Sequence, residues 1–260
     1  MTDDRAPADP LRDSELPLRD DLVAGHAAAW RHVARSGAWW NGVERVAIAA
    51  ATRDAWSCAA CDRRAAALSP EIEVSEHGRG VAPELQAHLA EPVVDAVHRL
   101  VREPARLSRR CSERLFASGA VSPAAYAELV GVVTQAVSLD ALHLALGIGP
   151  APLPEPEGGE PSQYEPQGLA WEDAWVPMIL PANLGEAERD LYGDPTGNVV
   201  RALSAVPDEV RAMKALSAAQ YIAIEQMRDY VGGERVGRAI SRAQMELVAG
   251  RISALHECFY

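Results

Sequence analysis

Two cysteine-containing segments carry the residues whose types and spacing could support redox chemistry. Cys58 and Cys61 form a complete C-x-x-C motif, and Cys258 stands near the end of the sequence, twelve residues after Glu246. A cysteine thiolate attacks peroxides when nearby charge or hydrogen bonding lowers its pKa, and a carboxylate can accept the released proton. In a reducing compartment a C-x-x-C pair indicates redox or metal chemistry rather than a structural disulfide.

The segment from Gln244 to Tyr260 resembles the active-site segment of the alkylhydroperoxidase D / carboxymuconolactone decarboxylase family. Redox members of that family carry a Glu, then a C-x-x-C pair at this same spacing, then a downstream His. Glu246 and Cys258 match the first half of that pattern, and the second Cys would follow Tyr260. The resemblance implies that the residue after Tyr260 attacks peroxide, that Glu246 helps to activate it, and that Cys258 resolves the intermediate as a disulfide.

The sequence ends where the attacking residue of that motif would stand. Selenocysteine is encoded by UGA, which is commonly read as a stop codon. We therefore hypothesise that the natural protein continues with selenocysteine directly after Tyr260 and that the 260 residues given are a truncated reading. A frameshift and a genuine end in a degenerate enzyme are the alternatives. Peroxide turnover at this second site is expected to be impaired in the 260-residue chain, and no flavin, haem or metal cofactor is expected.

The first motif departs from the family pattern at the positions of the proton acceptors. Val46 stands twelve residues before Cys58, where the pattern has Glu, and Ala65 stands where it has His. Glu44 is two residues away from the matching position, so it points to a different face of the helix. The sequence therefore predicts a dithiol at Cys58 and Cys61 without its own base, which could relay disulfides to the second site.

Two other interpretations of the first motif stay open, a pair of structural thiols and half of a zinc site. Zinc would need two further ligands. Cys111 with His88 or His98 could supply them, but the sequence contains no second closely spaced pair. Cys111 is most simply interpreted as a buried small apolar residue. We interpret His88, His98 and His143 as packing or surface residues on amphipathic helices rather than ligands.

Composition excludes several classes of function. The 37 acidic and 25 basic residues give a net charge of -12, which leaves no basic stripe to bind nucleic-acid phosphates or an anionic membrane. No apolar run approaches the roughly 18–20 residues expected of a membrane span. The N-terminus is acidic and contains proline, unlike a signal peptide. These features predict a cytoplasmic protein whose four cysteines are mostly reduced.

The elements that must position these cysteines are predicted to be helices, and we predict an all-α fold. Apolar residues recur three and four positions apart, and no segment alternates convincingly with period two. Ser122-Pro123, and Ser241 with Gln244, are typical helix starts. The predicted helices span residues 21–34, 43–55, 83–102, 106–118, 122–146, 171–179, 186–192, 207–231 and 241–255.

A stretch rich in proline, glutamate and glycine divides the sequence. It can form neither a helix nor a central strand, so it is predicted to be a linker. Residues 119–147 and the segment Trp175-Val176-Pro177 resemble other parts of the family domain, which implies two alkylhydroperoxidase D-like helical repeats. The predicted units are a disordered tail at 1–20, a first repeat at 21–148, the linker at 149–168 and an incomplete second repeat at 169–260.

The resemblance implies thiol- or selenol-dependent reduction of a small peroxide. It also implies a dithiol reductant protein as electron donor and assembly into a homo-oligomer. A different enzyme class stays open, carboxymuconolactone decarboxylase-like lactone chemistry, which does not depend on C-x-x-C. A third alternative is a non-catalytic helical module that senses redox state through Cys58 and Cys61 or binds partners. A Cys58–Cys61 disulfide formed under peroxide would separate the redox alternatives from the others.

Overall fold

The computed structural model describes residues 10–69, 76–172, 174–193, 196–223, 226–227, 238–255 and 258. These residues fold mainly into α-helices, as predicted for an all-α protein. Before residue 149 the helices are α1 Asp20–Ala34, α2 Gly42–Ala55, α3 Ala59–Ala65, α4 Pro83–Gln86, α5 Glu91–Arg102, α6 Arg109–Ala117 and α7 Pro123–Leu146. After it come α8 Asn198–Arg201, α9 Pro207–Gln220 and α10 Arg242–Leu255.

A small antiparallel sheet stands where the sequence predicted only helix. Strand β1, Leu169–Ala170, pairs with β2, Met178–Ile179. The prediction of a helix over 171–179 is therefore wrong. Both residues of β2 are buried, and the Ile179 N–H donates to the Ser204 hydroxyl at 2.8 Å. A segment buried on both faces carries no alternation of polar and apolar residues, so its strand character was not visible in the sequence.

Three other predicted helices have different bounds. The predicted helix over 83–102 is two helices: α4 ends at Gln86, and Pro92 lies in the first turn of α5, where its missing N–H costs no hydrogen bond within the helix. The predicted helix over 207–231 ends at Gln220, followed by Tyr221 in a non-helical conformation. Residues 224–225 and 228–231 of that prediction lie outside the described part of the chain. The predicted helix over 186–192 is only a 3-10 turn, Glu186–Glu188.

Several helix ends follow the predicted capping rules. The Ser122 side chain accepts a hydrogen bond from the Ala125 N–H at 3.1 Å, at the start of α7. Gly147 ends that helix with a φ of +69°, a left-handed conformation that glycine adopts without steric cost. Ser241 and Gln244 bond reciprocally at the start of α10, as predicted for a capping box.

Helix α2 is the centre of the core and packs against α1, α4, α5 and α7. Eleven of its fourteen residues are buried, so neighbouring helices must cover it on nearly all sides. The main cluster of buried side chains comes from α2, α5 and α7 and includes Val46, Ile48, Val93, Val97, Leu129 and Val132. Packing in this hydrophobic core thus fixes the C-terminal end of α2, and the first cysteine motif follows directly after it.

A buried ionic network joins the two halves of the chain. The fully buried Arg45 on α2 pairs with Glu128 on α7 and, at 2.8 Å, with Glu209 on α9. Glu209 also lies 2.8 Å from His32 Nε2 on α1. A Cβ at Gly131 would stand 2.4 Å from the Glu209 carboxylate, so glycine permits the close approach of α7 and α9. The organisation into two repeats stays a prediction.

Residues 149–168 contain no helix or strand, as predicted, but they are tied to the first half. The Glu157 N–H donates to the Ala34 carbonyl at 2.8 Å, and the Gln163 N–H donates to the Ala38 carbonyl at 2.8 Å. The predicted linker is therefore a strap held along the α1–α2 connection. Of the predicted tail, residues 1–9 lie outside the described residues, whereas Leu11 is 2% exposed and packs as a core residue.

Helix α7 contradicts the expectation that no apolar run approaches the length of a membrane span. Its 24 residues are long and apolar enough by length and composition alone. The helix nevertheless places Leu129 and Val132 in the core and pairs Glu128 with the buried Arg45. A core helix of this kind passes the same test as a membrane span, so α7 is weak evidence for a membrane.

Candidate thiol and metal centre

The first cysteine motif lies at a short turn between α2 and α3. Helix α2 ends at Ala55, and Cys58 is the N-cap residue of α3, with extended backbone angles. Helix α3 therefore begins at Ala59, inside the C-x-x-C motif. The turn directs both Cys58 and Cys61 inward, where they are 3% and 0% exposed.

Two histidines from distant segments meet the two cysteines. His77 comes from the connection between α3 and α4, and His98 comes from α5. The ligand atoms of all four residues lie within 4.8 Å of one another, and all four residues are buried. His77 Nδ1 lies 3.7 Å from each sulfur atom, and His98 Nδ1 lies 3.3 Å from Cys61 Sγ. We call these four residues the Cys–His cluster.

A carboxylate orients one of the two imidazoles. His77 Nε2 lies 2.9 Å from Asp95 Oδ1, so a proton on Nε2 is donated to the carboxylate and Nδ1 faces the sulfur atoms. Arg64 Nη1 donates to Asp95 Oδ1 at 2.5 Å, and Arg99 Nε donates to Asp95 Oδ2 at 2.7 Å. Burial alone would raise the pKa of Asp95, but the hydrogen bonds from His77 and Arg99 outweigh it and hold the pKa well below its usual range.

The two thiols have opposite pKa shifts. Burial alone would raise the pKa of Cys58, but hydrogen bonds from the Gly78 and Cys61 N–H groups and from His77 outweigh it and lower the pKa to about 7. Burial, together with the charge of the neighbouring Cys58, raises the pKa of Cys61 to about 12. Cys58 is therefore the thiol of the pair that ionises first.

The two imidazoles also differ. Burial alone would lower the pKa of His77, but its hydrogen bond to Asp95 outweighs this and raises it. Burial and the nearby positive charges of His77 and Arg64 lower the pKa of His98 to about 3, so this ring is neutral. His98 Nε2 is buried and has no hydrogen-bond partner among the described residues, while Nδ1 faces Cys61.

A second ion pair, between Arg64 and Glu103, lies next to the Cys–His cluster. Arg64 is fully buried, and its Nε donates to Glu103 Oε1 at 2.5 Å. Arg106 Nη1 also donates to Glu103, at 3.0 Å. Arg64 therefore bridges Asp95 and Glu103, and its Nη2 stands 3.7 Å from Cys61 Sγ. Arg64 on α3 therefore links Cys61 to two carboxylates, Asp95 on α5 and Glu103 directly after it.

The second predicted site has a different environment. Cys258 is exposed, and its N–H donates to the Ser253 carbonyl at 2.9 Å. The Glu246 side chain is 42% exposed and lies 2.5 Å from Arg242. It also accepts a hydrogen bond from the Tyr221 hydroxyl. Within the described residues no hydrogen bond joins Glu246 to Cys258, and the residues that flank this cysteine, 256–257 and 259–260, lie outside that part.

The structure places an imidazole beside the first motif, which the sequence predicted to lack a base of its own. Val46 is a core residue of α2 and Ala65 ends α3, so neither family position supplies a proton acceptor. The imidazole of His77 faces Cys58 instead, with Nδ1 at 3.7 Å from the sulfur and Nε2 at 2.9 Å from Asp95. Glu44 has a separate role, because it forms a capping box with Asn41 at the start of α2.

Sequence reasoning missed His77 and misjudged His98. His98 was interpreted as a packing or surface residue, although it lies in the Cys–His cluster. Cys111, suggested as a ligand, instead contacts the Ser108 hydroxyl at 3.4 Å outside the cluster, and His88 is exposed. The available signal was weak, because His77 follows Cys61 by sixteen residues and His98 follows after a further twenty-one.

Comparison with known proteins gives no family: no family model, curated protein or solved structure matches this chain. The resemblance to alkylhydroperoxidase D therefore stays a prediction. The geometry of the Cys–His cluster allows two kinds of chemistry, proton transfer from a thiol to an imidazole and coordination of a metal ion by sulfur and nitrogen.

Proposed function

We propose that the chain carries a redox-active dithiol that reduces small peroxides, with Cys58 as the attacking thiol and Cys61 as the resolving thiol. One observation carries this proposal, the arrangement of Cys58, His77 and Asp95. Cys58 Sγ lies 3.7 Å from His77 Nδ1, and His77 Nε2 lies 2.9 Å from Asp95. A nucleophile next to a base, with the base oriented by a third group, is typical of activated nucleophiles.

The reaction proceeds in two steps within the cluster. His77 Nδ1 accepts the Cys58 proton, and the thiolate attacks one peroxide oxygen. The O–O bond breaks, the leaving oxygen takes the proton held by His77 and departs as an alcohol, and Cys58 becomes a sulfenic acid. The Cys61 sulfur then attacks the Cys58 sulfur, the S–S bond forms and water leaves. Two thiols and one peroxide thus give one disulfide, one alcohol and one water.

Restoring the dithiol requires a reductant, which we propose to be a dithiol protein. One of its thiolates would attack the Cys58–Cys61 disulfide and form a mixed disulfide. Its second thiol would then break that bond, so the reductant leaves as a disulfide and both cysteines return to thiols. This centre differs from the one implied by the family resemblance, where Glu246 and Cys258 would serve an attacking residue after Tyr260. Activity at Cys58 and Cys61 does not depend on either of those residues.

Burial of Cys58 and Cys61 limits the size of the peroxide that can reach them and also favours a second candidate function. Cys58 is 3% exposed and Cys61 is 0% exposed, so a compact peroxide such as hydrogen peroxide is favoured over a bulky one. The same burial hinders a reductant protein. A centre that is oxidised once and reduced slowly would be a redox sensor rather than a peroxidase.

The test is consumption of hydrogen peroxide by the full chain, depleted of metal, with dithiothreitol as reductant. Peroxide loss should depend on protein concentration, disappear in Cys58→Ser and continue in the matched control Cys258→Ser. Oxidation of one dithiol per chain without continued turnover would assign the sensor function. Full activity in Cys58→Ser would refute both candidates.

A further inference from the structure

We propose that the reduced Cys–His cluster binds one Zn²⁺ ion through Cys58 Sγ, Cys61 Sγ, His77 Nδ1 and His98 Nδ1. This goes beyond peroxide reduction, because metal binding does not require that the thiols react with peroxide. The sequence suggested a zinc site only with Cys111 and either His88 or His98. The structure instead brings His77 and His98 to the C-x-x-C motif.

Three of the six distances between the donor atoms match a tetrahedral zinc site, and all six are within 4.8 Å. With Zn–S near 2.3 Å and Zn–N near 2.0–2.1 Å, neighbouring donors of a tetrahedron stand roughly 3.3–3.8 Å apart. The Cys61–His98 donor pair is separated by 3.3 Å, and His77 Nδ1 is 3.7 Å from each sulfur. The four groups therefore need only small shifts to share one ion.

The type of donor selects the metal. Two thiolates and two imidazoles are a standard zinc donor set, whereas Mg²⁺ and Ca²⁺ prefer oxygen. The nearby carboxylates do not compete, because Asp95 is bonded to His77, Arg64 and Arg99, and Glu103 is bonded to Arg64 and Arg106. Four protein donors leave no position for a substrate, which is typical of a structural site.

Contacts around the donors support the same assignment. His77 carries Asp95 on the nitrogen opposite the sulfur atoms, at 2.9 Å, which is the carboxylate–histidine pairing that orients zinc ligands. All four donor residues are buried and face one another. Polar groups buried in this way are costly unless they are paired, and a divalent cation would pair with both sulfur atoms at once.

Zinc binding would be coupled to oxidation of Cys58 and Cys61, and this consequence rests on the proposed function. Oxidation of the two bound thiolates by a peroxide forms the S–S bond, breaks both Zn–S bonds and consumes two protons. The products are the disulfide, free Zn²⁺, one alcohol and one water. The reduced centre would therefore hold zinc, and a peroxide would release it.

The experiment titrates reduced, metal-depleted full chain with Zn²⁺ against a chromophoric chelator, and separately with Co²⁺ as a spectroscopic substitute. We expect one equivalent per chain, with the intense ligand-field bands and thiolate-to-metal charge transfer of tetrahedral Co²⁺. Cys61→Ser and His98→Ala should each weaken Zn²⁺ binding by at least about 100-fold, more than loss of an outer-shell group. Cys111→Ser and His88→Ala are matched controls that should bind as the unmodified chain does.

Failure of the reduced chain to bind either ion would overturn the proposal, as would equal loss of binding in the two control variants. His98→Cys guards against a variant that merely misfolds. It should keep one equivalent of Co²⁺ and increase the charge-transfer absorption, because three thiolates replace two. A spectrum in His98→Cys identical to that of the unmodified chain would exclude residue 98 from the metal.

The zinc proposal and the proposed function fail separately. If Zn²⁺ binds but hydrogen peroxide leaves Cys58 and Cys61 of the metal-free chain reduced, the metal site stands and peroxide reduction is refuted. If peroxide forms the Cys58–Cys61 disulfide but the reduced chain binds no metal, the redox function stands and the zinc site is refuted.

Discussion

Cys58 and Cys258 each follow a helix that suggested a redox motif, but their surroundings in the fold differ. Cys58 is buried against Cys61, His77 and His98. Cys258 is exposed and bonded through its backbone to Ser253. Similar helix-to-cysteine spacing therefore gives two environments, because the groups that would activate a thiol come from other segments of the chain.

The supporting helices differ in the same way. Helix α2 is the most buried helix of the core, so the cysteine motif after it is anchored. In α10, only Arg242 and Met245 are buried among its described residues. Large apolar side chains of this helix are exposed, at Leu247, Val248, Ile252 and Leu255. The first motif is a formed cluster, whereas the second segment lies at the surface of the described structure.

The largest difference is expected from replacing the two cysteines in turn. Cys58→Ser should slow the peroxide-dependent loss of the Cys61 thiol by at least about 100-fold, because a serine hydroxyl is not ionised at neutral pH and the thiolate is the nucleophile. Cys258→Ser should change that rate by less than about twofold. Alkylation of Cys61 at timed intervals, followed by mass spectrometry, measures both rates. A large effect of Cys258→Ser would place the chemistry in the second segment.

The ion pair Arg64–Glu103 beside the first cysteine motif and the ion pair Arg242–Glu246 on α10 should differ in their contribution to the free energy of unfolding. Arg64→Met leaves the Glu103 carboxylate, which is 4% exposed, with one fewer cation, and should lower the free energy of unfolding by about 3 kcal/mol. Arg242→Met is the matched control. Its partner Glu246 is 42% exposed, so loss of this pair should cost about 1 kcal/mol or less. Urea denaturation of both variants checks this order, and equal losses would contradict the contrast between the two segments.

Removing the charge that orients His77 should have an intermediate effect. Asp95→Asn should slow the oxidation of Cys58 by about tenfold, since a positioned acid or base typically contributes about 100-fold or more and the imidazole itself remains. The rate of disulfide formation under excess hydrogen peroxide measures the change, at a temperature where the variant is folded by circular dichroism. An unchanged rate would show that Asp95 does not position His77 for this reaction.

The smallest effect is expected at the carboxylate that the sequence favoured. Glu246→Gln should leave the rate of Cys58 oxidation unchanged and lower the free energy of unfolding by no more than about 1 kcal/mol, because its pairs are partly exposed. The same disulfide assay and the same denaturation curve apply. A tenfold loss of rate in Glu246→Gln would restore the second segment as a functional site.

Local signals in the sequence predicted the helical class and several helix ends. Ser122 and Ser241 act through neighbouring backbone groups, so their effect can be inferred from adjacent residues. The break between α4 and α5 and the strand at Met178–Ile179 were missed. Helical spacing of apolar residues continued across the first, and the second is too short and too buried for alternation to show.

The candidate site was only half visible in the sequence. Cys58 and Cys61 were identified because three residues of spacing are enough to bring two thiols together. His77 and His98 belong to separate segments of the chain. Packing of α5 against α2 and α3 places His98 beside the thiols. Such contacts between distant segments cannot be inferred from local periodicity, so the position of the two histidines beside the thiols becomes visible only in the fold.

The most direct test of the central claim is residue-resolved oxidation of the unmodified chain. Reduced, metal-depleted protein is treated with one equivalent of hydrogen peroxide, its free thiols are alkylated, and its peptides are analysed by mass spectrometry. The account predicts a Cys58–Cys61 disulfide, with Cys111 and Cys258 recovered as alkylated thiols. Oxidised Cys258 together with alkylated Cys58 and Cys61 would contradict it.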